Sequence, residues 1–435
     1  MGNTFCFSSP GIFPGIEVPP AIIAGLKTPT ILGNGALIKF ASDGGDVAKV
    51  FGFFSGQVSQ SPDDASLKLD LALLHVIRQE RGEAYRLQAQ ALERQQLFRV
   101  VGTKGKEVPT RRRVLALVAP GDFMNNAQLE FLLDGSEIGL DVLYVVPGKP
   151  LPDAVPEHDV VFCAVNESDE NAPILERLGR LLPAWPRPVL NIPGNVARLT
   201  RDGTASLLQS IPEICAPRVR RVVRADLRRL ACGEITPDVL VPGVNFPVLI
   251  RPVGSHCGKN LDKIAGRDEL AAYLRDAGTD GDDFFFAPFM DYRSADGLYR
   301  KYRVVLIDGV PFLCHMAGSE QWKIHYVNVG MAESAEKRAD EARAMETFDE
   351  DFARRHGAAF AKLCERVDLD YFGIDCAELP DGRLLLFEAE TAMVIHAMDS
   401  PTLYPYKQTQ MARVFSAFRD FVDRAAERLP GIAEG

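Results

Sequence analysis

The sequence has no apolar run long enough to cross a membrane, and its first residues lack the charged-then-apolar layout of a secretory signal. The N-terminus begins like a myristoylation motif, but Cys6 stands where Ser or Thr is required. The eight cysteines include no CxxC pair, which argues against metal fingers and a disulfide scaffold and favours a reducing compartment. We therefore expect a cytoplasmic protein that does not bind membranes.

Positive charge is also in short supply. The chain has 49 Lys and Arg against 59 Asp and Glu, and the resulting net charge of −10 argues against a general nucleic-acid binder. A hydrophobic content of 46% is ordinary for globular proteins and excludes wholesale disorder. The length of 435 residues predicts two or three domains. The sequence leaves open whether the chain forms a homo-oligomer.

The N-terminal part, residues 1–105, is predicted to be an extension that contains a helical hairpin. Residues 1–60 are rich in Gly and Pro and indicate short strands or an arm laid over another domain. From position 62 the apolar residues follow the helical period, with Asp63 or Asp64 as the N-cap and Gly82 as the break between two helices. We expect this hairpin to support its own chain, because an isolated helical repeat buries too little surface.

Residues 111–195 are predicted to form a small doubly wound α/β domain. Four apolar runs, at 114–119, 142–146, 160–165 and 189–192, read as buried parallel strands, with helices predicted at 127–138 and 172–182. No GxGxxG follows the first strand, so a dinucleotide site is disfavoured.

An acidic motif near the C-terminus carries the strongest chemical signal. The turn sequence Pro380-Asp381-Gly382 separates two apolar runs and predicts a β-hairpin. Asp375 lies on the first strand, while Glu388 and Glu390 lie two residues apart, and so on one face, of the second. Three such carboxylates repel one another, and Mg²⁺ bound with nucleotide phosphates would relieve the repulsion. The alternative is a solvated acidic end of the hairpin.

A second motif is a strand that ends in a cation and a Gly-Ser loop. Residues 246–250 are apolar, Arg251 follows, and the backbone at Gly254 and Ser255 can approach an anion closely. The motif is not a P-loop, because Asn260 follows the Gly-Lys pair. A hairpin turn with a surface Arg explains it about as well. Cys257 as a nucleophile and His256 as a metal ligand are disfavoured.

Taken together, the two motifs resemble the ATP-grasp superfamily, and specifically the glutathione synthetase and ribosomal-protein glutamate ligase type, over roughly residues 111–425. The resemblance implies a pre-ATP-grasp α/β domain at 111–195 and a two-lobed ATP-grasp domain at 196–430. The expected fold class is thus α/β and α+β. The resemblance further implies ATP held between the lobes, and Mg²⁺ held by Asp375, Glu388 and Glu390. Glu390 departs from the Asn usual in the family.

The resemblance also implies roles for other side chains around the nucleotide. Two arginines stand where the family has phosphate-binding lysines, one residue replaces the usual ribose contact on a hinge strand at 284–291, and three basic residues face the phosphates or the reacting acyl group. In that order they are Arg201 and Arg251, then Asp291, then Arg303, Lys323 and His325.

The resemblance implies an ADP-forming, ATP-dependent carboxylate–amine ligase that works through an acyl phosphate. Its substrates would be a small molecule or peptide with a carboxylate and an amine acceptor, neither of them identified by the sequence. Two alternatives stay open. One is a kinase of the same fold that phosphorylates a small-molecule alcohol, and the other is a catalytically silent nucleotide-binding interaction protein.

Overall fold

The computed structural model describes residues 17–102, 110–255, 258–275 and 281–428. Four helices form most of the N-terminal part: α1 (Asn34–Ser42), α2 (Val47–Gln60), α3 (Ala65–Ile77) and α4 (Arg81–Arg94). α3 and α4 are the predicted hairpin, and Asp64 caps α3 by accepting the backbone N–H of Leu67. Residues 1–60 were expected to form short strands or an arm. The structure corrects this expectation, because α1 and α2 occupy the second half of that segment.

The turn between α3 and α4 lies earlier than predicted. Gln79, with a φ of 64°, reverses the chain, whereas Gly82 lies inside α4. The expectation that Gly82 breaks the helices was therefore wrong: it is the second residue of α4, and a single glycine costs a helix only about 1 kcal/mol even in its interior.

A six-stranded sheet forms the centre of the predicted α/β region, in the order β2-β3-β5-β4-β7-β8. Its strands are β2 (Thr30–Ile31), β3 (Leu97–Val100), β4 (Arg112–Val118), β5 (Ile138–Tyr144), β7 (Val160–Cys163) and β8 (Val189–Leu190). β4, β5, β7 and β8 are parallel, as expected for strands buried on both faces. β3 pairs antiparallel with β5, so the sheet also takes in two strands from before residue 105. A separate parallel pair joins β1 (Ala21–Ile23) to β6 (Ala154–Pro156).

The helices of this region are α5 (Leu129–Leu133), α6 (Ala172–Leu181) and α7 (Pro193–Val196). α5 is much shorter than the helix predicted at 127–138. The chain leaves the helix at Gly135, whose φ is +69°, and Ile138 already begins β5. The apolar residues at 129–133 belong to the predicted helix and to the observed one. The observed helix is shorter because the left-handed conformation of Gly135 ends it.

The small lobe is a four-stranded antiparallel sheet in the order β10-β13-β11-β12. Its strands are β10 (Arg220–Val223), β11 (Val248–Pro252), β12 (Asp262–Ile264) and β13 (Asp283–Pro288). Its apolar side is covered by α9 (Arg224–Cys232), α10 (Pro237–Leu240) and α11 (Arg267–Tyr273). β13, the predicted hinge strand, therefore lies in the middle of this sheet.

The large lobe is a five-stranded sheet in the order β15-β14-β16-β17-β9. Its strands are β9 (Ile214–Cys215), β14 (Tyr299–Ile307), β15 (Val310–Ser319), β16 (Tyr371–Glu378) and β17 (Leu384–Glu390). The predicted hairpin is confirmed, with Asp375 opposite Glu388 and Gly373 opposite Glu390. The helices of this part are α8 (Arg201–Leu208), α12 (Ala335–Thr347), α13 (Phe352–Arg355), α14 (Gly357–Val367) and α15 (Pro405–Ala426).

The fold class expected from the sequence is confirmed: a mixed α/β sheet domain is followed by two further sheets that form separate lobes, one antiparallel and one antiparallel except for the parallel β9–β17 pair. The exact domain limits of 105, 111, 195, 196 and 430 remain predictions. Among the described residues, no helix combines the length and apolarity that crossing a membrane requires.

Candidate active site

A cavity of about 620 Å³ separates the small lobe from the large lobe. Residues of β11 and β13 line one wall, and residues of β16 and β17 line the other. The structure brings seven of the sequence-predicted site residues to this cavity: Arg201, Arg251, Lys323, His325, Asp375, Glu388 and Glu390. The cleft between two lobes is thus the place where the predicted cations and carboxylates meet.

Asp375 is fully buried and is held by two cations. Arg303 donates from Nε to Oδ1 at 2.8 Å and from a terminal nitrogen to Oδ2 at 3.0 Å, and Lys301 Nζ lies 2.6 Å from Oδ2. Burial alone would raise the pKa of Asp375, but Arg303 and Lys301 outweigh it and hold that pKa well below its ordinary value. Asp375 is therefore an anion that is already neutralised by its neighbours.

Glu388 and Glu390 differ in their partners. Arg201, the first residue of α8, is hydrogen-bonded to Glu388, and its charge outweighs burial to lower the pKa of Glu388. The carboxyl group of Glu390 has no hydrogen-bond or ion-pair partner within the described ranges. Burial, with the nearby charge of Glu388, raises the pKa of Glu390 to about 7. Glu390 is therefore the carboxylate of the three that is ready to accept a new partner.

Arg251 lies at the end of β11, as predicted, and is buried. Its Nε donates to the Ser255 hydroxyl at 3.1 Å, and a terminal nitrogen donates to the Ser255 backbone carbonyl. Gly254 has a φ of +74° and leaves open space where a Cβ would be, so this turn is tight and accessible. Gly254 and Ser255 line a second cavity that adjoins the first. Cys257 and His256, for which the roles of nucleophile and metal ligand were disfavoured, lie outside the described residues.

Lys323 and His325 follow β15, in the predicted loop. Lys323 Nζ donates to the Leu261 carbonyl at 2.7 Å and so connects the large lobe to the small one. Burial, followed by the charges of Lys301 and Arg303, lowers the pKa of His325, so its imidazole is neutral at pH 7. The Nδ1 atom of His325 is buried without a partner in the part of the chain that the structure describes.

Two predicted site residues, Arg303 and Asp291, line neither cavity. Arg303 lies behind Asp375, to which it is hydrogen-bonded, whereas Asp291 lies at the surface. Its side chain is exposed and accepts the backbone N–H of Arg293 at 3.1 Å, and Asp291 is not among the residues that line the described cavity walls. Its neighbours Met290 and Tyr292 line the cavity instead. The suggested ribose contact of Asp291 therefore remains a prediction.

Two residues around Asp375 were missed from the sequence. Lys301 lies two residues before Arg303 on β14, so a strand period of two already places both cations on one face. His315 is opposite Arg303 in the β14–β15 register, and burial keeps the pKa of its imidazole well below the ordinary value. Lys301 could have been found by applying the strand period to the sequence. His315 could not, because its position opposite Arg303 depends on the register between β14 and β15.

A metal ion would have to compete for these carboxylates. Across residues 17–102, 110–255, 258–275 and 281–428, no three His, Cys, Asp or Glu side chains are gathered closely enough to form a metal site. Both oxygens of Asp375 are occupied by Arg303 and Lys301. Glu388 and Glu390 supply the hard oxygen donors that suit Mg²⁺, which commonly binds through one or two carboxylates plus substrate phosphates.

The other end of the cavity is apolar and suited to a flat ring. Phe289 packs edge-to-face on Trp322 with ring centroids 5.6 Å apart, and the Lys263 ammonium lies 3.8 Å from the Phe289 ring centre. Leu249 and Phe387 face this space from the two lobes. An apolar end next to a charged end is the usual composition of a ligand pocket.

This two-lobed cleft is the arrangement that the ATP-grasp resemblance implied. Among solved structures, the chain is similar to D-alanine–D-alanine ligase from Coxiella burnetii, at 11% identity and a TM-score of 0.43, with 73% of this chain and 97% of that chain covered. It is also similar to VanG D-Ala:D-Ser ligase from Enterococcus faecalis, at 14% identity and a TM-score of 0.45, covering 72% and 99% of the respective chains.

A third similar structure is a RimK domain ATP-grasp protein from Sphaerobacter thermophilus, with 14% identity, a TM-score of 0.38, and 71% and 99% of the two chains covered. No protein-family model and no curated protein matches the sequence.

Proposed function

We propose that this chain is an ATP-dependent carboxylate–amine ligase of the ATP-grasp type that forms ADP and proceeds through an acyl phosphate. The observation that carries the proposal is the cleft itself, in which basic side chains from both lobes surround Asp375, Glu388 and Glu390 beside an apolar pocket. Phosphoryl transfer requires mainly positioning and charge stabilisation, which such a cleft supplies.

Each part of the cleft has a task in this proposal. Arg201, Arg251 and Lys323 offset the negative charge of the phosphates. Arg303 fixes the orientation of Asp375 through its two hydrogen bonds. Its positive charge would also stabilise the oxyanion that develops when an amine attacks the acyl phosphate. The neutral imidazole of His325 provides an unprotonated nitrogen near the acyl group.

Magnesium is part of the proposal through Glu388 and Glu390. These two carboxylates would hold Mg²⁺ when it is bound with the nucleotide, and the metal would supply positive charge that offsets the charge of the phosphates. Asp375 would join it only by releasing Lys301, because both of its oxygens are otherwise occupied. The chain's own contribution is to present two carboxylate oxygens on one face of β17.

The reaction type is tested by following products in the presence of Mg-ATP, pooled amino acids and short peptides. A ligase yields ADP, free phosphate and a new amide, all dependent on both substrates. A kinase yields ADP and a phosphorylated alcohol without free phosphate. The absence of any acceptor-dependent ADP, together with the absence of Mg-ATP binding, would overturn both assignments.

Two substitutions link the activity to the hairpin. Asp375→Ala and Glu388→Ala are expected to abolish ADP release, since each removes a charge from the centre of the cleft. Asp381→Asn is the matched control on the same hairpin, because Asp381 lies at the exposed turn and contacts Arg383. Full turnover in both cleft variants would contradict the assignment.

One observation favours the second candidate, a catalytically silent nucleotide-binding protein. Asp375 is completely ion-paired and no three-ligand metal cluster is present in the described residues. Such a protein would be stabilised against heat by ATP but would release no ADP with any acceptor.

Whether the chain is a ligase or a silent nucleotide-binding protein, we place it in the cytoplasm, because ATP and free thiols are both found there. Its partners in this proposal are small molecules or peptides.

A further inference from the structure

A second cavity of about 450 Å³ adjoins the nucleotide cleft and has a different charge. It lies between the loop at 166–170 that follows β7, the start of α8 and the edge of β17. The two cavities share Arg201, Glu388 and Glu390 as walls. A ligand in the second cavity would therefore meet the reacting end of a ligand in the first.

The lining of this second cavity is strongly acidic. Five acidic side chains, Glu167, Asp169, Glu170, Glu388 and Glu390, face two arginines, Arg201 and Arg221. Both arginines are already engaged: Arg201 bonds Glu388, and Arg221 bonds Asp169 at 2.8 and 2.9 Å. Acceptor carboxylates would meet repulsion here, whereas an ammonium group would be attracted.

Two further groups in the cavity lack partners of their own. The Thr204 side chain is buried, with 4% of its surface exposed, and its hydroxyl has no hydrogen-bond partner among the described residues. The carboxyl of Glu167 is likewise without an ion pair or hydrogen bond within those ranges. Burial, with the neighbouring Asp169, raises the pKa of Glu167 to about 7. A buried polar group without a partner costs free energy, which a bound donor would recover.

From this geometry we infer that the second cavity binds the amine acceptor in its ammonium form, with Glu167 as its counter-ion and Thr204 as a hydrogen-bonding partner. The acceptor class is a basic amine without a carboxylate near the reacting nitrogen, such as a diamine, and not an acidic amino acid. This inference rests on the proposed ligase function for the identity of the reaction, but the binding site itself does not require catalysis.

The test uses the full chain and 1,4-diaminobutane as the probe, with glutamate as the anionic comparison. Binding is measured by calorimetric titration without nucleotide and by the KM for each amine in Mg-ATP-dependent ADP formation. We expect the diamine to bind and glutamate not to bind. Glu167→Gln keeps the shape of the side chain and should weaken diamine binding about tenfold or more, as for the loss of a hydrogen bond to a charged group.

Thr204→Val removes the hydroxyl at nearly constant volume and should weaken the diamine a few-fold, while the KM for ATP stays unchanged in both variants. Glu176→Gln is the control, because Glu176 is exposed on α6 and pairs with Arg180. Equal diamine affinity in Glu167→Gln and the unmodified chain, or tighter binding of glutamate, would overturn the inference.

The same experiment separates this inference from the proposed function. If Mg-ATP stabilises the chain against heat but the diamine does not bind, the acceptor assignment is wrong and the nucleotide site survives. If the diamine binds in a Glu167-dependent manner but Mg-ATP neither binds nor is hydrolysed, the ligase proposal is wrong and the cationic site stands.

Discussion

At the scale of single residues, the decisive feature is the buried cation–carboxylate group around Asp375. Asp375 is fully buried, and Arg303 and Lys301 supply its compensating charge. A buried ion pair adds little net stability over an apolar replacement, but removal of one partner leaves an uncompensated charge and is costly. The arrangement therefore makes Arg303 indispensable to the fold of the site, whatever else it does.

Arg303→Met should lower the free energy of unfolding by about 3–5 kcal/mol, measured by urea denaturation at pH 7. Since the pKa of Asp375 is depressed in the folded protein, its contribution is present above the ordinary carboxyl range and is lost as the pH falls through the lowered pKa. Arg383→Met is the matched control: Arg383 pairs with exposed Asp381, and its loss should cost less than about 1 kcal/mol. If both substitutions lower the free energy of unfolding by the same amount, the ion pair between Arg303 and Asp375 is not desolvated.

At the scale of elements, two carboxyl groups attach α1 to the rest of the N-terminal part. Glu130 on α5 accepts the backbone N–H of Gly35, and Asp70 on α3 accepts those of Leu32 and Gly33 at 2.9 and 3.1 Å. Burial raises the pKa of Glu130 to about 7 and that of Asp70 to about 6. Both groups therefore bind protons more tightly in the folded chain than in the unfolded one.

Because these pKa values are raised in the folded chain, the free energy of unfolding should depend on pH. Between pH 4.5, the ordinary value for Glu130, and about pH 7, the folded state holds a proton that the unfolded state has lost, so stability falls as the pH rises. Glu130→Gln should reduce that slope, leaving the part that Asp70, Glu167 and Glu390 contribute, and should raise the free energy of unfolding by about 1–3 kcal/mol at pH 8, with little change at pH 4. Glu137→Gln, at an exposed position, should keep the slope of the unmodified chain. A slope in Glu130→Gln that equals the unmodified one would contradict the assignment.

The N-terminus of α8 is the element that presents Arg201 to the cleft. Thr200 caps it by accepting the Gly203 N–H at 2.9 Å, and a Cβ at Gly203 would overlap the Arg198 carbonyl oxygen and lie 2.6 Å from Thr200 Oγ1. Gly203→Ala should therefore cost about 1–3 kcal/mol and raise the KM for ATP by displacing Arg201.

Gly179→Ala is the control for Gly203→Ala, because it makes the same substitution in a helix where the added methyl group meets no other atom. Gly179 lies in α6 with nothing near its Cβ position, so alanine should stabilise the chain by about 0.5–1 kcal/mol through its better helix propensity. Both effects are measured by urea denaturation. A stabilising Gly203→Ala would show that the start of α8 has room to relax.

How much was predictable from the sequence depended on how local the signal was. The hairpin that carries Asp375 and Glu388 was predictable, because a Pro-Asp-Gly turn between two apolar runs fixes strand direction and face. The pairing of those carboxylates with particular cations was not, since Arg201 lies at the start of helix α8 and Lys301 on strand β14, and only the tertiary fold brings both to the hairpin. The short α5 was missed for the opposite reason: apolar periodicity suggested a longer helix, and one glycine ended it.

At the scale of the whole molecule, the six-stranded sheet and the five-stranded sheet are joined by two buried clusters, and α15 belongs to one of them. Phe418 of α15 packs against Phe162 of β7 and Tyr371 of β16, with ring centroids 6.0 and 5.3 Å away. All three rings are fully buried. The sheets on either side of this aromatic trio should therefore unfold together.

Phe418→Ala tests this coupling. It should lower the free energy of unfolding by about 3–5 kcal/mol, as for a large cavity in a core, and should split calorimetric unfolding into two transitions, because this aromatic contact between the sheets is lost. Phe53→Ala on α2 is the control: Phe53 is 61% exposed, so its removal should leave both the midpoint and the shape of the transition nearly unchanged. A single, merely shifted transition in Phe418→Ala would mean that other contacts along α15 are sufficient to hold the two sheets in one cooperative unit.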